Sequence, residues 1–287
     1  MHAFSKGIRL IILLILSIAV SFTLFFRHSG YATDNPAAKE KTSGNLTAER
    51  LVAHACGEYK GITYTNSLNA LNSNYKKGFR LFETDFRYTS DGHIVLIHDW
   101  FGTGKKLLGT GGKVYSYGNF KKRRAVKGIK LIDLDTLISW LKAHNDAFII
   151  TDCKDGNLTM LKDISAKYPD MTKRFLVQMG PFEEYDSLIQ MGYTNIILAL
   201  YKTNYADNDI IKFAESHSLF AVSMQQSRAE TALPMRLKKL NIKVYAHTIN
   251  SLIQYEHLLN NGIYGIYTDH IPPVEADNIN PDYPQAS

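Results

Sequence analysis

From Leu51 onward, segments that read as strands alternate with segments that read as helices, and this alternation constrains the fold more than any other feature. The strand candidates are Leu51–His54, Arg80–Phe86, Ala147–Cys153, Phe175–Met179, Asn195–Leu200, Leu219–Met224, Lys243–Thr248 and Ile263–Thr268. Between them, apolar residues recur at helical spacing over Asn66–Lys77, Leu134–His144, Leu158–Tyr168, Phe182–Met191, Ala206–His217, Glu230–Leu240 and Ser251–Asn261. Gly78, Gly192 and Gly262 follow three of these helices and can close them, and Asn157 is placed to cap another. Eight strands and seven helices in alternation predict an α/β fold with a parallel sheet, closed as a TIM-type (β/α)8 barrel or open and doubly wound. Periodicity alone does not choose between the two. With 287 residues and 45% hydrophobic content, the chain can fill the core of either.

The stretch Phe79–Trp100, FRLFETDFRYTSDGHIVLIHDW, carries the chemistry. Glu83 and Asp85 are two apart on a strand and share a face, while Phe82, Thr84 and Phe86 point to the other. After the turn-forming Thr89-Ser90-Asp91-Gly92 comes a β-branched run, Ile94–Ile97, ending in His98-Asp99. The connection is too short for a crossover helix, so the two runs are predicted to pair as a hairpin. A Ser90-Asp91 loop sets His98 opposite Glu83, and an Asp91-Gly92 loop sets it opposite Asp85. Either way two carboxylates and an imidazole crowd one face. An acidic pair with a nearby histidine also fits a solvated strand face. Crowded carboxylates, however, repel unless a cation sits between them, and a hard divalent ion such as Mg²⁺ or Ca²⁺ suits oxygen ligands.

Upstream lie Val52-Ala53-His54-Ala55-Cys56-Gly57 and then Thr65-Asn66-Ser67 at the start of a helix. With Glu83-x-Asp85, Asp91-Gly92 and His98-Asp99 this series resembles the glycerophosphodiester phosphodiesterase family, marked by His-Arg-Gly, Asn-Thr or Asn-Ser, Glu-x-Asp, Asp-Gly and His-Asp. A weaker likeness continues over most of Leu51–Pro272. The resemblance implies the barrel, with a β-hairpin and an insertion after the second strand. It also implies metal-dependent phosphodiester hydrolysis in which His54 and His98 share the general acid and base roles. Glu83, Asp85 and Asp152 are the implied metal ligands, and Lys154 the phosphate contact, although Asp152 is one methylene shorter than the family's glutamate. His247, in His247-Thr248-Ile249-Asn250, stands where the family often has tryptophan, and with Gln178 joins the substrate-binding candidates. In such barrels chemistry gathers at the C-terminal ends of the strands. His54, Glu83, Asp85, Asp152, Lys154, Gln178, Tyr201, Gln225, His247 and Asp269 all fall at or beyond those ends.

One departure matters: Ala55 stands where the family has arginine, which removes a bidentate phosphate clamp. Lys60 and Arg80 are the nearby cations, and nothing in the sequence places either in the site. A phospholipase C-like reaction on a lipid or glycan phosphodiester, or a tethered barrel that binds such a ligand without cleaving it, are the alternative readings. Cys56 and Cys153 are the only cysteines. The barrel order puts a strand between them and Cys153 faces away from the site, so free thiols are expected.

Residues 1–28 read as a membrane anchor or signal segment. Leu10–Phe26 is seventeen residues without a charge, with Lys6 and Arg9 before it and Arg27 after. An uncleaved, single-pass anchor is favoured, with the N-terminus inside and the barrel on the extracytoplasmic side of the cell membrane. If the segment is cleaved, the domain is secreted. Residues 29–49 read as a flexible linker, 50–273 as the barrel domain and 274–287 as a polar tail. The insertion Phe101–Lys130 carries Lys121-Lys122-Arg123-Arg124, which fits either a mobile solvated lip or a basic rim that gathers phosphate. A net charge of +6 suits an anionic small-molecule or lipid-derived substrate. The basic runs lack interleaved aromatics, which argues against nucleic acid.

Overall fold

The computed structural model describes residues 46, 49–109 and 111–277. The anchor segment, most of the linker and residues 278–287 of the tail lie outside them. Among the described residues no helix is long and apolar enough to cross a membrane.

The described strands are β1 (Leu51–Ala53), β2 (Leu81–Tyr88), β3 (Ile94–Leu96), β4 (Phe148–Cys153), β5 (Phe175–Met179), β6 (Asn195–Ala199), β7 (Ala221–Gln225), β8 (Lys243–His247) and β9 (Gly265–Thr268). All but β3 pair in parallel in the order β1-β2-β4-β5-β6-β7-β8-β9, and β9 pairs back onto β1. The sheet is therefore a closed eight-stranded parallel barrel, and the open alternative is excluded. Low in its interior, Val52, Leu81, Ile150, Leu176, Ile197, Ala221, Tyr245 and Tyr267 form one apolar cluster. The alternate residues of the same strands, such as Phe82, Phe86, Ile149 and Val177, pack outward against the helices.

The hairpin forms with a register that neither sequence reading anticipates. Thr89 closes on His93 through a 2.8 Å backbone bond, leaving a three-residue loop with Gly92 at φ +80°, and Phe86 pairs with Leu96. That register directs position 98 toward Thr84 rather than toward either acid. The ladder stops at Leu96, however, and His98 reaches the barrel mouth as a loop residue. Room for β3 exists because β1 is short. β1 meets only Leu81 and Phe82, leaving the upper edge of β2 for the hairpin.

Three other expectations are corrected. Asn157 does not cap its helix: Gly156 holds that position, and the Asn157 amide donates to Glu184 Oε2 at 2.7 Å. The helix expected over Glu230–Leu240 is instead Gln226–Ala229 followed by Leu233–Lys239, because Pro234 suits a helix's first turn and not its interior. A short helix, Pro273–Asp277, follows β9 across the start of the segment read as a polar tail, and its Ala276 is buried in the main core.

The insertion is a folded cap with its own core, not a mobile lip. Helices Thr103–Leu108 and Tyr117–Lys122 enclose Trp100, Leu107, Tyr115 and Phe120 against Ile62, Val95 and Ile97. Buried Asp133 ties it to the barrel. It caps helix Leu134–Ala143 at Thr136 N (2.9 Å) and accepts from Tyr117 Oη (2.6 Å) and Lys121 Nζ (2.9 Å). Burial alone would raise its pKa, but bonds from Thr136, Tyr117 and Lys121 hold it well below the usual carboxylate range. A carboxylate with a lowered folded pKa stabilises the fold above its unfolded value and loses that contribution as pH falls. Asp133→Ala is expected to cost about 2–3 kcal/mol at pH 7. Urea melts should show the gap to wild type narrowing below about pH 4. An unchanged midpoint at pH 7 would show that Asp133 does not anchor the cap.

Candidate active site

The first wall of the site is the turn that leaves β1. Ala55, Cys56 and Gly57 follow one another at φ +47°, +70° and +80°, so the chain tips sharply over the barrel mouth. Gly57 is required twice. Its φ is positive, and a Cβ there would lie 2.5 Å from Asn74 Nδ2, which donates to Cys56 O at 2.8 Å and fixes the turn. The turn aims the Ala55 amide at Glu83 Oε2, 2.7 Å away.

Glu83, Asp85 and Asp152 offer carboxylate oxygens that all lie within 4.8 Å of one another, and all three side chains are buried. β2 supplies two of them from one face and β4 the third, its Asp152 in register with Asp85. Asn66 clamps Asp85 from both ends: Nδ2 donates to Asp85 Oδ2 (2.7 Å), and Oδ1 accepts from the Asp85 amide (2.9 Å). Burial, then the charge of Asp85, lifts the Glu83 carboxyl to about 8. A buried acid so disfavoured as an anion fits a cation partner, and the three oxygen donors suit a hard divalent ion. This cluster can hold a metal. Lys154 Nζ reaches Asp85 Oδ1 (2.9 Å) and Asp152 Oδ2 (2.6 Å). A second ammonium, Lys202 Nζ, lies 3.0 Å from Asp152 Oδ1. Burial alone would raise the pKa of Asp152, but Lys202 and Lys154 hold it far below the usual range.

His54 and His98 stand on either side of one aromatic ring. Tyr64 meets His54 edge-on at 4.7 Å between centroids and His98 at 5.1 Å. Each imidazole is held at Nδ1 by an aspartate: His54 by Asp269 Oδ1 (2.9 Å) and His98 by Asp99 Oδ2 (3.1 Å). That leaves Nε2 of each ring for proton exchange. The aspartates are themselves fixed. Asn250 Nδ2 donates to Asp269 (2.7 Å), and the amides of Gly102 and Thr103 donate to Asp99. Burial pulls the His54 pKa down, but its bond to Asp269 and the charge of Glu83 outweigh it and leave the pKa raised.

The remaining sequence candidates lie lower or to the side. His247 ends β8 and meets Tyr201 edge-on at 5.1 Å. Its Nε2 is buried without a hydrogen bond among the described residues, and burial, then the charge of His54, lowers its pKa to about 4. Gln178 is buried inside the barrel, accepting from Ser223 Oγ at 3.4 Å. Neither cation considered for the missing arginine takes part. Arg80 pairs with Asp146 at the opposite end of β2, and Lys60 lies over the Tyr59 ring. Lys202 and Tyr64 escaped sequence reading. Lys202 could have been noticed as a cation three residues past an apolar strand. Tyr64 lies in a loop without periodicity and gives no such signal. Cys56 and Cys153 are both free and buried.

Buried carboxylates demand cations, and imidazoles steadied by aspartates move protons. A closed barrel that gathers both at one mouth has the parts of a barrel hydrolase. The chain belongs to the glycerophosphoryl diester phosphodiesterase family, whose family model matches residues 54–209, and is a phosphodiesterase. Solved structures share its fold. A glycerophosphoryl diester phosphodiesterase from Parabacteroides distasonis superposes with a TM-score of 0.64 at 18% identity, covering 83% of this chain and 88% of that one. One from Thermotoga maritima gives 0.58 at 19%, covering 76% and 93%. An Oleispira antarctica phosphodiesterase in complex with the product sn-glycerol-3-phosphate gives 0.64 at 14%, covering 84% and 100%.

Proposed function

We propose that the chain hydrolyses a small, glycerophosphodiester-like phosphodiester with a divalent cation, Mg²⁺ or Ca²⁺, held by Glu83, Asp85 and Asp152. The observation that carries this reading is the pairing of His54 and His98, each held by an aspartate at Nδ1, beside the buried acidic cluster. A bound cation supplies positive charge against a phosphate oxygen and steadies the charge that develops there. Lys154 adds a fixed charge to the same group. One imidazole takes a proton from the attacking hydroxyl, whether water or a neighbouring hydroxyl of the substrate. The other gives a proton to the departing alcohol oxygen as its bond to phosphorus breaks. Asp269 and Asp99 keep both rings oriented, and Asp269 also favours the protonated form of His54. His247 and Gln178 line the pocket for the rest of the substrate. The sn-glycerol-3-phosphate bound to the Oleispira protein supports a glycerol-type substrate.

The same reading puts the barrel outside the cell membrane on the uncharged run Leu10–Phe26. One experiment addresses both parts. Membranes carrying the full chain are washed with carbonate and assayed against a panel of phosphodiesters with Mg²⁺ or Ca²⁺. Turnover is expected to remain with the washed membranes and to be lost when protease is added from outside. Activity released into the wash would remove the anchor, and no turnover of any panel member would remove the reaction.

A further inference from the structure

The geometry points to Lys202 as a second binding residue for the substrate phosphate, paired with Lys154 across Asp152; this rests on the phosphodiesterase reading above. The two ammonium groups come from different walls. Lys154 follows β4, whereas Lys202 closes the short turn Leu200–Lys202 after β6. They converge on the two oxygens of one carboxylate, Lys154 at 2.6 Å from Oδ2 and Lys202 at 3.0 Å from Oδ1. Both side chains are only 19% exposed, so the charges are largely withdrawn from water yet still open to the barrel mouth. An ammonium has three donors; Asp152 uses one from each lysine and Asp85 a second from Lys154, so each lysine retains at least one for a phosphate oxygen.

The fold makes room for this arrangement. Gly180, just beyond β5, is where the Lys202 stem passes: a Cβ there would come within 2.8 Å of Lys202 Cβ. In the turn after β1, Ala55 and Cys56 are wholly buried and supply no cation. Counting formal charges, Glu83, Asp85 and Asp152 bring three negatives, offset by one divalent cation and Lys154. A phosphodiester anion entering that neutral group would leave one buried negative charge uncompensated. Lys202 supplies the missing positive charge. Beside its place in the acidic cluster, Asp152 also spaces the two lysines, a structural use for its shorter side chain.

The test uses the full chain loaded with Mg²⁺ or Ca²⁺ and inorganic phosphate as the probe, followed by calorimetry. Lys202→Met is expected to weaken phosphate binding about 10–100-fold, the worth of one charge-assisted pair, and to raise KM for a phosphodiester similarly. The fall in kcat should be smaller than the rise in KM. Lys202→Arg should retain phosphate affinity within about 5-fold, since it restores the charge, and Lys202→Gln should behave as Lys202→Met, giving the same comparison if the methionine variant does not fold. Wild-type phosphate affinity in folded Lys202→Met or Lys202→Gln overturns the inference. Phosphate binding needs no turnover, so the two readings separate. A chain that binds phosphate through Lys202 yet cleaves nothing loses the reaction but keeps this residue's role.

Discussion

His54→Ala and His98→Ala are each expected to lower kcat by about 10²–10⁴-fold, the usual contribution of a positioned acid or base. KM should move far less, because on the proposed reading the acidic cluster with a cation, Lys154 and Lys202 would still hold the phosphate. The wild-type pH–rate profile should show two titrating groups, and each variant should lose one limb. The rings are not equivalent. His54 is the more deeply buried, and Asp269 with Glu83 keeps its pKa raised, whereas His98 sits at the rim beside Asp99. A substrate with a very good leaving group needs no proton on its departing oxygen, so it should partly rescue whichever variant has lost the acid. That rescue assigns the roles. Asp269→Asn would shift the His54 limb without erasing it, as expected of a group that orients a ring rather than transfers its proton. If both histidine variants turn over at wild-type rates, the proton-transfer scheme is wrong.

How much of this could be read from the sequence depends on the range of the interaction concerned. Strand and helix alternation is local, and most of the expected elements appear within a few residues of their predicted bounds. Closure is not local. It rests on β1 meeting β9 some two hundred residues away, and only the family resemblance pointed to it. Glu83 and Asp85 share a face because a strand has period two, which the sequence states outright. The position of His98 was harder, because one extra loop residue reverses a hairpin's facing, and the ladder then ended before that reversal took effect. Asp152 and Lys154 were legible at the end of β4. Their shared use with Lys202 was not, since it depends on a glycine at 180 that matters only once three strands are assembled. The left-handed turn at Ala55 and Cys56 has no composition signal either. Alanine rarely adopts such a φ, and here the Asn74 and Glu83 contacts hold it.

Glu83→Gln and Asp85→Asn are expected to abolish divalent-cation binding and phosphodiesterase activity while leaving the barrel folded. Both replacements keep side-chain length, and both can still meet their fixed neighbours, the Ala55 amide and Asn66. What they remove is charge. In the metal-free protein, burial and Asp85 make the Glu83 anion unfavourable, raising its pKa to about 8. A carboxyl whose folded pKa is raised stabilises the fold while protonated and loses that contribution as pH climbs toward the folded value. Without metal, wild type should therefore weaken between about pH 5 and 8, and Glu83→Gln should be flatter across that window and the more stable protein at pH 8. Adding Mg²⁺ or Ca²⁺ reverses the order. At about 100 times its Kd a cation adds roughly 2.7 kcal/mol to wild type, and it should add nothing to either variant. Thermal melts with and without EDTA read this crossing directly, independently of substrate. If EDTA changes neither the melting temperature nor the turnover of wild type, the acidic cluster is not a metal site, and the lysines alone would have to carry the phosphate.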